Sequence, residues 1–259
     1  MFCVTQHDIE QGLRRLGLET GNKVLVHSSL RSFGHVDGGA DAVIDALLAA
    51  VGAAGTVLVP TLTGSEALSP QHPPVFDPAQ TPCWTGRIPE IFRRRPAAVR
   101  SLHPTHSVAA IGADAETLTR DHLDSISPCD EQSPYGKLAL LDDAYILLIG
   151  VTHESNTTLH HVEELAGVAY HLQPQLARAE IVLDGQFIYR HIFLHQYGTP
   201  RNFSIIEPLL LERGIQVETQ VGDSTLKLVQ IKPMVALTWR CLRANPRFLC
   251  ADGKKNSEW

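Results

Sequence analysis

The stretch from Asn22 to Thr63 constrains the fold more than any other part of the chain. "NKVLVHSSL" is a short apolar run that ends in small polar residues, the pattern of a buried strand feeding a loop. "FGHVDGG" turns the chain, and "ADAVIDALLAAVG" puts Val43, Ile44, Leu47 and Leu48 on one face of a helix. "GTVLVPTLT" is a second buried strand. Two strands joined through a helix run parallel, so a parallel sheet is expected at the front of the fold. Open parallel sheets bind ligands at the carboxyl ends of their strands. The first strand ends there in His27, Ser28 and Ser29, which serve equally as strand-end caps.

Further elements follow from local signals. Thr5 and Asp8 stand at capping-box spacing before Ile9, Leu13 and Leu16. Residues 64–85 are Pro-rich with little periodicity and read as an ordered surface loop. "GRIPEIFRRR" reads as a helix whose three arginines, Arg93 to Arg95, form a solvated end. "HSVAAIG" and "YILLIGV" read as buried strands, with a helix from Asp114 to His122 between them. From about residue 177 the pattern changes to two hairpins, around Asp184-Gly185 and Gly222-Asp223. A helix lies between them at "FSIIEPLLLERG", and "KPMVALTWRCLRAN" closes the chain before a frayed tail, "GKKNSEW". No repeat or linker interrupts residues 1–259, which are read as a single domain.

Charge and cysteine usage exclude several classes. The net charge of −6 argues against a nucleic-acid partner. Five cysteines with no CxxC point to free thiols in a reducing, cytoplasmic setting. No leader pattern or membrane-length apolar run is present. The glycine signatures of dinucleotide sites, P-loops and hydrolase elbows are missing as well.

"NTTLHHVEELAG" carries the densest chemistry. On a helix His160 shares a face with Glu163, and His161 with Glu164, the two pairs pointing about 100° apart. Three readings fit these residues. The helix can present a solvated polar face with local ion pairs. His160, Glu163 and another histidine can bind zinc, although no third ligand is identifiable. A histidine can instead act as a general base, oriented by the carboxylate on its other ring nitrogen. "SLHPTHSVAAIG" adds His103, His106 and Ser107 just before a buried strand, and polar tips converging on a sheet edge favour a site.

Five segments, in order and spacing, resemble the aminoglycoside 3-N-acetyltransferase family: "VLVHSSLRSFG", "DGGADAVIDALLAAVGAAGTVLVPT", "FDPAQTPCWTGRIPEIFRRRPAAVRSLHPTHSVAAIG", "SPYGKLALLDDAYILLIGV" and "NTTLHHVEELA". The resemblance is strong over residues 5–170 and weaker to about residue 245. It implies a three-layer α/β/α fold with a mostly parallel N-terminal sheet and C-terminal β-hairpins, distinct from the common N-acetyltransferase fold. Residues 5–170 would form the coenzyme A-binding and catalytic core, and residues 171–250 the acceptor side. Acetyl-coenzyme A is the implied donor, and the 3-amino group of a 2-deoxystreptamine aminoglycoside the implied acceptor.

Carried over position by position, the family's H-x-x-E falls on His160 and Glu163 and makes His160 the base in preference to His161. A further carboxylate in the later helix matches Glu207. The coenzyme segments match His27, Ser28, Ser29 and Leu30, with His103, Ser107 and the "SPYGKL" turn. Glu154 stands where the family commonly has Asp, and it joins Glu164 and Asp77 as expected acceptor-binding residues. Glu154, Glu164 and Glu207 would attract a polycation at the rim. Transfer would be direct, with Ser28 or Ser107 near the thioester oxygen and no bound metal. The resemblance also accommodates a homodimer, a same-family acyltransferase for a different small amine, and a non-catalytic coenzyme A-binding protein.

Overall fold

Thr5 and Asp8 form the expected capping box, each side chain accepting from the other residue's backbone N–H. The computed structural model describes residues 3–252, so the tail read as frayed lies outside the described residues. The first elements are β1 (Cys3–Val4), α1 (Gln6–Arg15), β2 (Lys23–Ser28), β3 (His35–Val36), α2 (Gly39–Val51) and β4 (Thr56–Pro60). Next come β5 (Val75–Phe76), α3 (Arg87–Phe92), β6 (Val99–Arg100), β7 (Val108–Gly112), α4 (Ala115–Thr119) and α5 (Pro134–Ala139). β8 (Ala144–Ile149), α6 (Thr158–Ala166), β9 (Ala177–Leu183) and β10 (Gln186–Ile192) follow. The chain ends in α7 (Glu207–Glu212), β11 (Gln216–Val221), β12 (Ser224–Gln230) and α8 (Ile231–Ala244).

The central sheet has seven strands in the order β11-β12-β8-β2-β4-β7-β6. Within it, parallel pairing is confined to β2 and its neighbours β4 and β8. β7 joins β4, and β12 joins β8, in antiparallel register. The expected parallel unit is therefore the middle of a mixed sheet. Side chains alternate across it: Val24, Val26, Val57 and Val59 pack on one face with Ile9, Leu47 and Phe92 of α1, α2 and α3. Leu25, Leu58, Ile146 and Leu148 pack on the other with Leu138, Leu159 and Met234 of α5, α6 and α8. Burying both faces accounts for the near-continuous apolar strands and produces three layers, α/β/α.

Outside this sheet, β9 and β10 form the hairpin at Asp184-Gly185, whose positive φ values of 50° and 76° suit a tight two-residue turn. The Pro-rich loop is tied to it, because β5 pairs parallel with β9. Of the arginines of "FRRR", Arg94 is solvent-exposed and pairs with Glu90, but the other two are not a solvated end. Arg93 is buried on Glu90, and Arg95 reaches Asp41 and Asp45 of α2. No helix among the described residues is long and apolar enough to cross a membrane.

Candidate active site

β2 and β4 end side by side at Ser28 and Pro60, where the chain leaves the sheet. At the end of β8, Gly150 has a φ of 60°, and a Cβ there would stand 1.9 Å from Ser32 Oγ. Only glycine permits this close crossing. A cavity of about 320 Å³ opens over the strand ends, lined by His27, Ser28, Thr85, Gly86, Glu154 and Asn156 among others. His27 Nε2 and Ser28 Oγ are buried there without hydrogen-bond partners. An unpartnered buried polar atom costs free energy unless a ligand or water completes it, so both point to a polar guest. Burial pushes the His27 imidazole down to about 3, so it meets that guest uncharged.

His160 stands between this cavity and a second of about 250 Å³, and it lines both. Leu62 and Trp84 are shared in the same way, while His106, His195, Gln196, Tyr197 and Arg201 belong to the second cavity. Helix α6 sets the position of His160. Asn156 Oδ1 accepts from Thr158 N near the start of the helix, and Gly167, at φ 66°, ends it. Leu159 and Val162 bury the opposite stripe in the core.

His160 Nδ1 is 2.7 Å from Glu163 Oε2. Glu163 is wholly buried, and Arg201 Nε donates to its Oε1 at 2.9 Å. His171 Nδ1 also lies 2.9 Å from Glu163 Oε2, although it is poorly aligned for a hydrogen bond, and its Nε2 is 3.4 Å from Glu164 Oε1. Burial alone would raise the Glu163 carboxyl. His160 and His171 outweigh that effect and hold it well below the usual carboxylate range. Burial lowers His160 against the pull of Glu163. At His171 burial opposes the charge, but the two carboxylates outweigh it and raise the imidazole. Glu163 therefore stays anionic beside a neutral His160. With Nδ1–H donated to Glu163, His160 Nε2 keeps a free lone pair.

Nitrogens of His160, His171 and His195 lie within 4.8 Å of one another, as do donor atoms of His106, Cys129 and His195. A transition metal could bridge such distances, but His160 Nδ1 and His171 Nδ1 both address Glu163, so the first set is already engaged in a charged network.

Several expected site residues have other duties. His161 Nδ1 contacts the Cys129 carbonyl at 2.7 Å, and Glu164 accepts from Ser127 Oγ and Cys129 N. The two therefore brace the 127–129 loop and do not pair with each other, and Glu164 lines neither cavity. Ser107 is fully buried, donating to Thr61 O and accepting from Arg100 Nε. His103 Nδ1 accepts from His106 N and the ring stacks on His122 at 4.7 Å. Neither Ser107 nor His103 lines the two cavities, and neither do Ser29 and Leu30, which lead into a short helical turn. Glu207 binds Lys227 and Gln216, away from His160. Asp77 accepts from Ala79 N and Gln80 N to shape its own turn. Glu154 does line the first cavity, where it also accepts from Ser204 N at 2.9 Å.

Arg201, His171, His195 and Trp84 were missed by sequence reasoning. No spacing links Arg201 to Glu163. The contact arises because the segment after β10 folds back over α6, which no local pattern encodes.

The family described as aminoglycoside 3-N-acetyltransferase matches residues 25–243. Aminoglycoside N(3)-acetyltransferase IV of Salmonella sp is 34% identical, over 90% of this chain and 85% of that protein. A mutant of aminoglycoside acetyltransferase AAC(3)-IVa in complex with a gentamicin superposes with a TM-score of 0.82 at 31% identity, covering 96% of this chain and 92% of that one. AAC-IIIb, in its binary complex with CoASH, superposes with a TM-score of 0.80 at 26% identity, covering 94% and 97%. Matches of this extent, over a site with the H-x-x-E pair in place, show that the chain belongs to the aminoglycoside 3-N-acetyltransferase family.

Proposed function

We propose that this protein transfers the acetyl group of acetyl-coenzyme A directly to the 3-amino group of a 2-deoxystreptamine aminoglycoside, with His160 as general base. The observation that carries this reading is the place of His160, partly exposed between two cavities and backed by a buried carboxylate. One cavity suits the thioester end of the donor and the other the amine. Relatives that bind coenzyme A and gentamicin support the pairing of substrates.

In the proposed reaction the amine lone pair attacks the thioester carbonyl carbon. The amine proton passes to His160 Nε2, the C–S bond breaks, and the thiolate leaves to be protonated. Glu163 holds the ring and offsets the charge that His160 acquires. Such base assistance is worth ~10²–10⁴-fold. In the first cavity His27 Nε2 and Ser28 Oγ would hold polar atoms of the coenzyme near its thioester. Cys129 is buried, and burial pushes its thiol up, which does not suit an acyl-enzyme route. The five cysteines are free, in keeping with a reducing, cytoplasmic setting.

The test is thiol release from acetyl-coenzyme A with a panel of aminoglycosides, using wild type, His160→Ala and His161→Ala. Acceptor-dependent release by wild type and His161→Ala, lost in His160→Ala, is expected. No release above background with any acceptor would refute the activity. A full rate in His160→Ala would remove His160 from the role of base.

A further inference from the structure

A ring nitrogen from each of His106 and His195 and the sulfur of Cys129 lie within 4.8 Å of one another. The two histidines line the second cavity, Cys129 is fully buried outside its wall, and the proposed transfer uses none of the three. Neighbouring groups set the His106 tautomer. His103 Nδ1 accepts from the backbone N–H groups of Thr105 and His106, so it carries no proton. The Thr105 hydroxyl directs its own proton to that nitrogen at 3.4 Å and accepts from His106 Nδ1–H at 2.9 Å. His106 Nε2 is left with a bare lone pair. The His195 side chain is 10% exposed, and its Nε2 is buried without a hydrogen-bond partner. That nitrogen stands 3.9 Å from Glu164 Oε1, the same oxygen that accepts from Cys129 N. A buried nitrogen of this kind costs free energy unless a guest completes it.

We propose that His106, Cys129 and His195 form a binding site for a thiophilic transition-metal ion such as Zn²⁺, and that its occupancy weakens acceptor binding. Two imidazoles and a thiolate suit Zn²⁺ or Cu⁺ and do not suit Mg²⁺ or Ca²⁺. Ligands on one tetrahedral zinc stand roughly 3.3–3.8 Å apart, given bonds of about 2.0–2.3 Å, so the three groups have about 1–1.5 Å at most to close. Glu164 Oε1 is within reach of the fourth position. The Cys129 proton leaves to solvent as the ion binds, so the site gains one net positive charge, the ion's two less the proton's one. That charge repels a cationic acceptor in the adjoining cavity. The ion also fixes His195, whose ring is 4.6 Å from that of His160. None of the three ligands lines the first cavity, so donor binding is untouched. The effect on the acceptor rests on the acetyltransfer reading, whereas the site itself does not.

The experiment uses the full chain, freed of metal with a chelator and titrated with Co²⁺ and Zn²⁺. Equimolar Co²⁺ should produce a sulfur-to-metal charge-transfer band in the near ultraviolet, which Zn²⁺ abolishes. Cys129→Ser should lose the band. A titration without the band, or a band that survives in Cys129→Ser, would overturn the site. Thr105→Val keeps all three ligands and releases only the His106 tautomer, so it should weaken binding about tenfold to a hundredfold. Unchanged affinity there would overturn the role of His106. Binding lost in His160→Ala but kept in Cys129→Ser would place the ion on His160, His171 and His195 instead, and would also overturn the proposal. Turnover is followed by loss of the thioester, because released coenzyme A itself binds zinc. Equimolar Zn²⁺ should raise the KM for the amine about tenfold and leave the KM for acetyl-coenzyme A unchanged. Metal-free Cys129→Ser should turn over like wild type and ignore Zn²⁺. An amine KM that Zn²⁺ does not move in wild type would overturn the effect on the acceptor. A charge-transfer band in a protein that transfers no acetyl group, with or without metal, would refute the acetyltransfer reading and leave the site standing.

Discussion

Arg201 Nε donates to Glu163 Oε1 at 2.9 Å, from the opposite side of the carboxylate to His160. A carboxyl group with no exposure ionises only when compensating charge surrounds it, and Arg201 supplies a permanent one. The guanidinium is fixed in turn, stacked over the Tyr170 ring at 4.6 Å. Arg201 is thus placed to position His160, the base in the proposed reaction, through Glu163.

Removing it should have two separable effects. Arg201→Ala should destabilise the fold by about 3 kcal/mol, because it leaves a buried carboxylate less compensated. It should also move the acid limb of the kcat profile to higher pH, because Arg201 is one of the charges that depress His160. Arg201→Lys should restore part of the stability. Thermal unfolding and a pH–rate profile read the two effects. A loss of stability with no movement of the acid limb would make Arg201 merely structural.

The pH dependence has a definite sign. In the proposed reaction His160 is the neutral base, and burial holds it below the ordinary imidazole value of 6.5. The acid limb of kcat should therefore have its midpoint below 6.5, and a midpoint above it would contradict the geometry. Stability should follow the buried histidines. His122 is held down to about 4 by burial, so the unfolded chain binds a proton in the interval where the folded one does not. Its contribution is complete above pH 6.5 and is lost as pH falls towards 4, about 3 kcal/mol in full. His27, pushed down to about 3, adds in the same direction. His171 works oppositely. Its value is raised, so its contribution is complete below 6.5 and fades as pH rises through the folded value. Denaturant titrations across this range should show falling stability on the acid side.

How much of this was legible in the sequence depended on the range of the interaction. The parallel β2-α2-β4 unit, both hairpin turns and the His160–Glu163 pair are written in spacings of a few residues. Periodicity identifies β7 and β12 as strands but does not say which strand each one pairs with, so the antiparallel flanks of the sheet were not foreseen. The carboxylates show the same limit. Glu164 shares a helical turn with Glu163, yet the Ser127–Cys129 loop claims it. Arg201 is 38 residues beyond Glu163 and meets it only through tertiary packing.

Ser28 Oγ is buried and unpartnered at the floor of the first cavity, so its removal should cost the fold little. Ser28→Ala is expected to raise the KM for acetyl-coenzyme A by about threefold to tenfold, the worth of one hydrogen bond. The KM for the amine should stay constant. Steady-state kinetics with each substrate varied in turn would detect the difference. An unchanged KM for the donor would place the coenzyme elsewhere.

Glu207 offers the sharpest contrast between a carboxylate expected to be catalytic and one whose contacts are structural. Lys227 Nζ and Gln216 Nε2 both address its Oε1, and Gln216 Oε1 continues to His153 Nε2 at 2.8 Å. The network ties α7 to β11, β12 and the turn before α6, and it reaches no atom of His160 or Glu163. Glu207→Gln should lower stability by about 1–3 kcal/mol, because Lys227 loses its nearer carboxylate and keeps only Glu218 at 3.6 Å. Its kcat should remain near wild type at temperatures where the variant is folded. A kcat reduced a hundredfold in a fully folded variant would instead return Glu207 to the catalytic set. That result would require the α7 segment to move towards His160 when substrates bind.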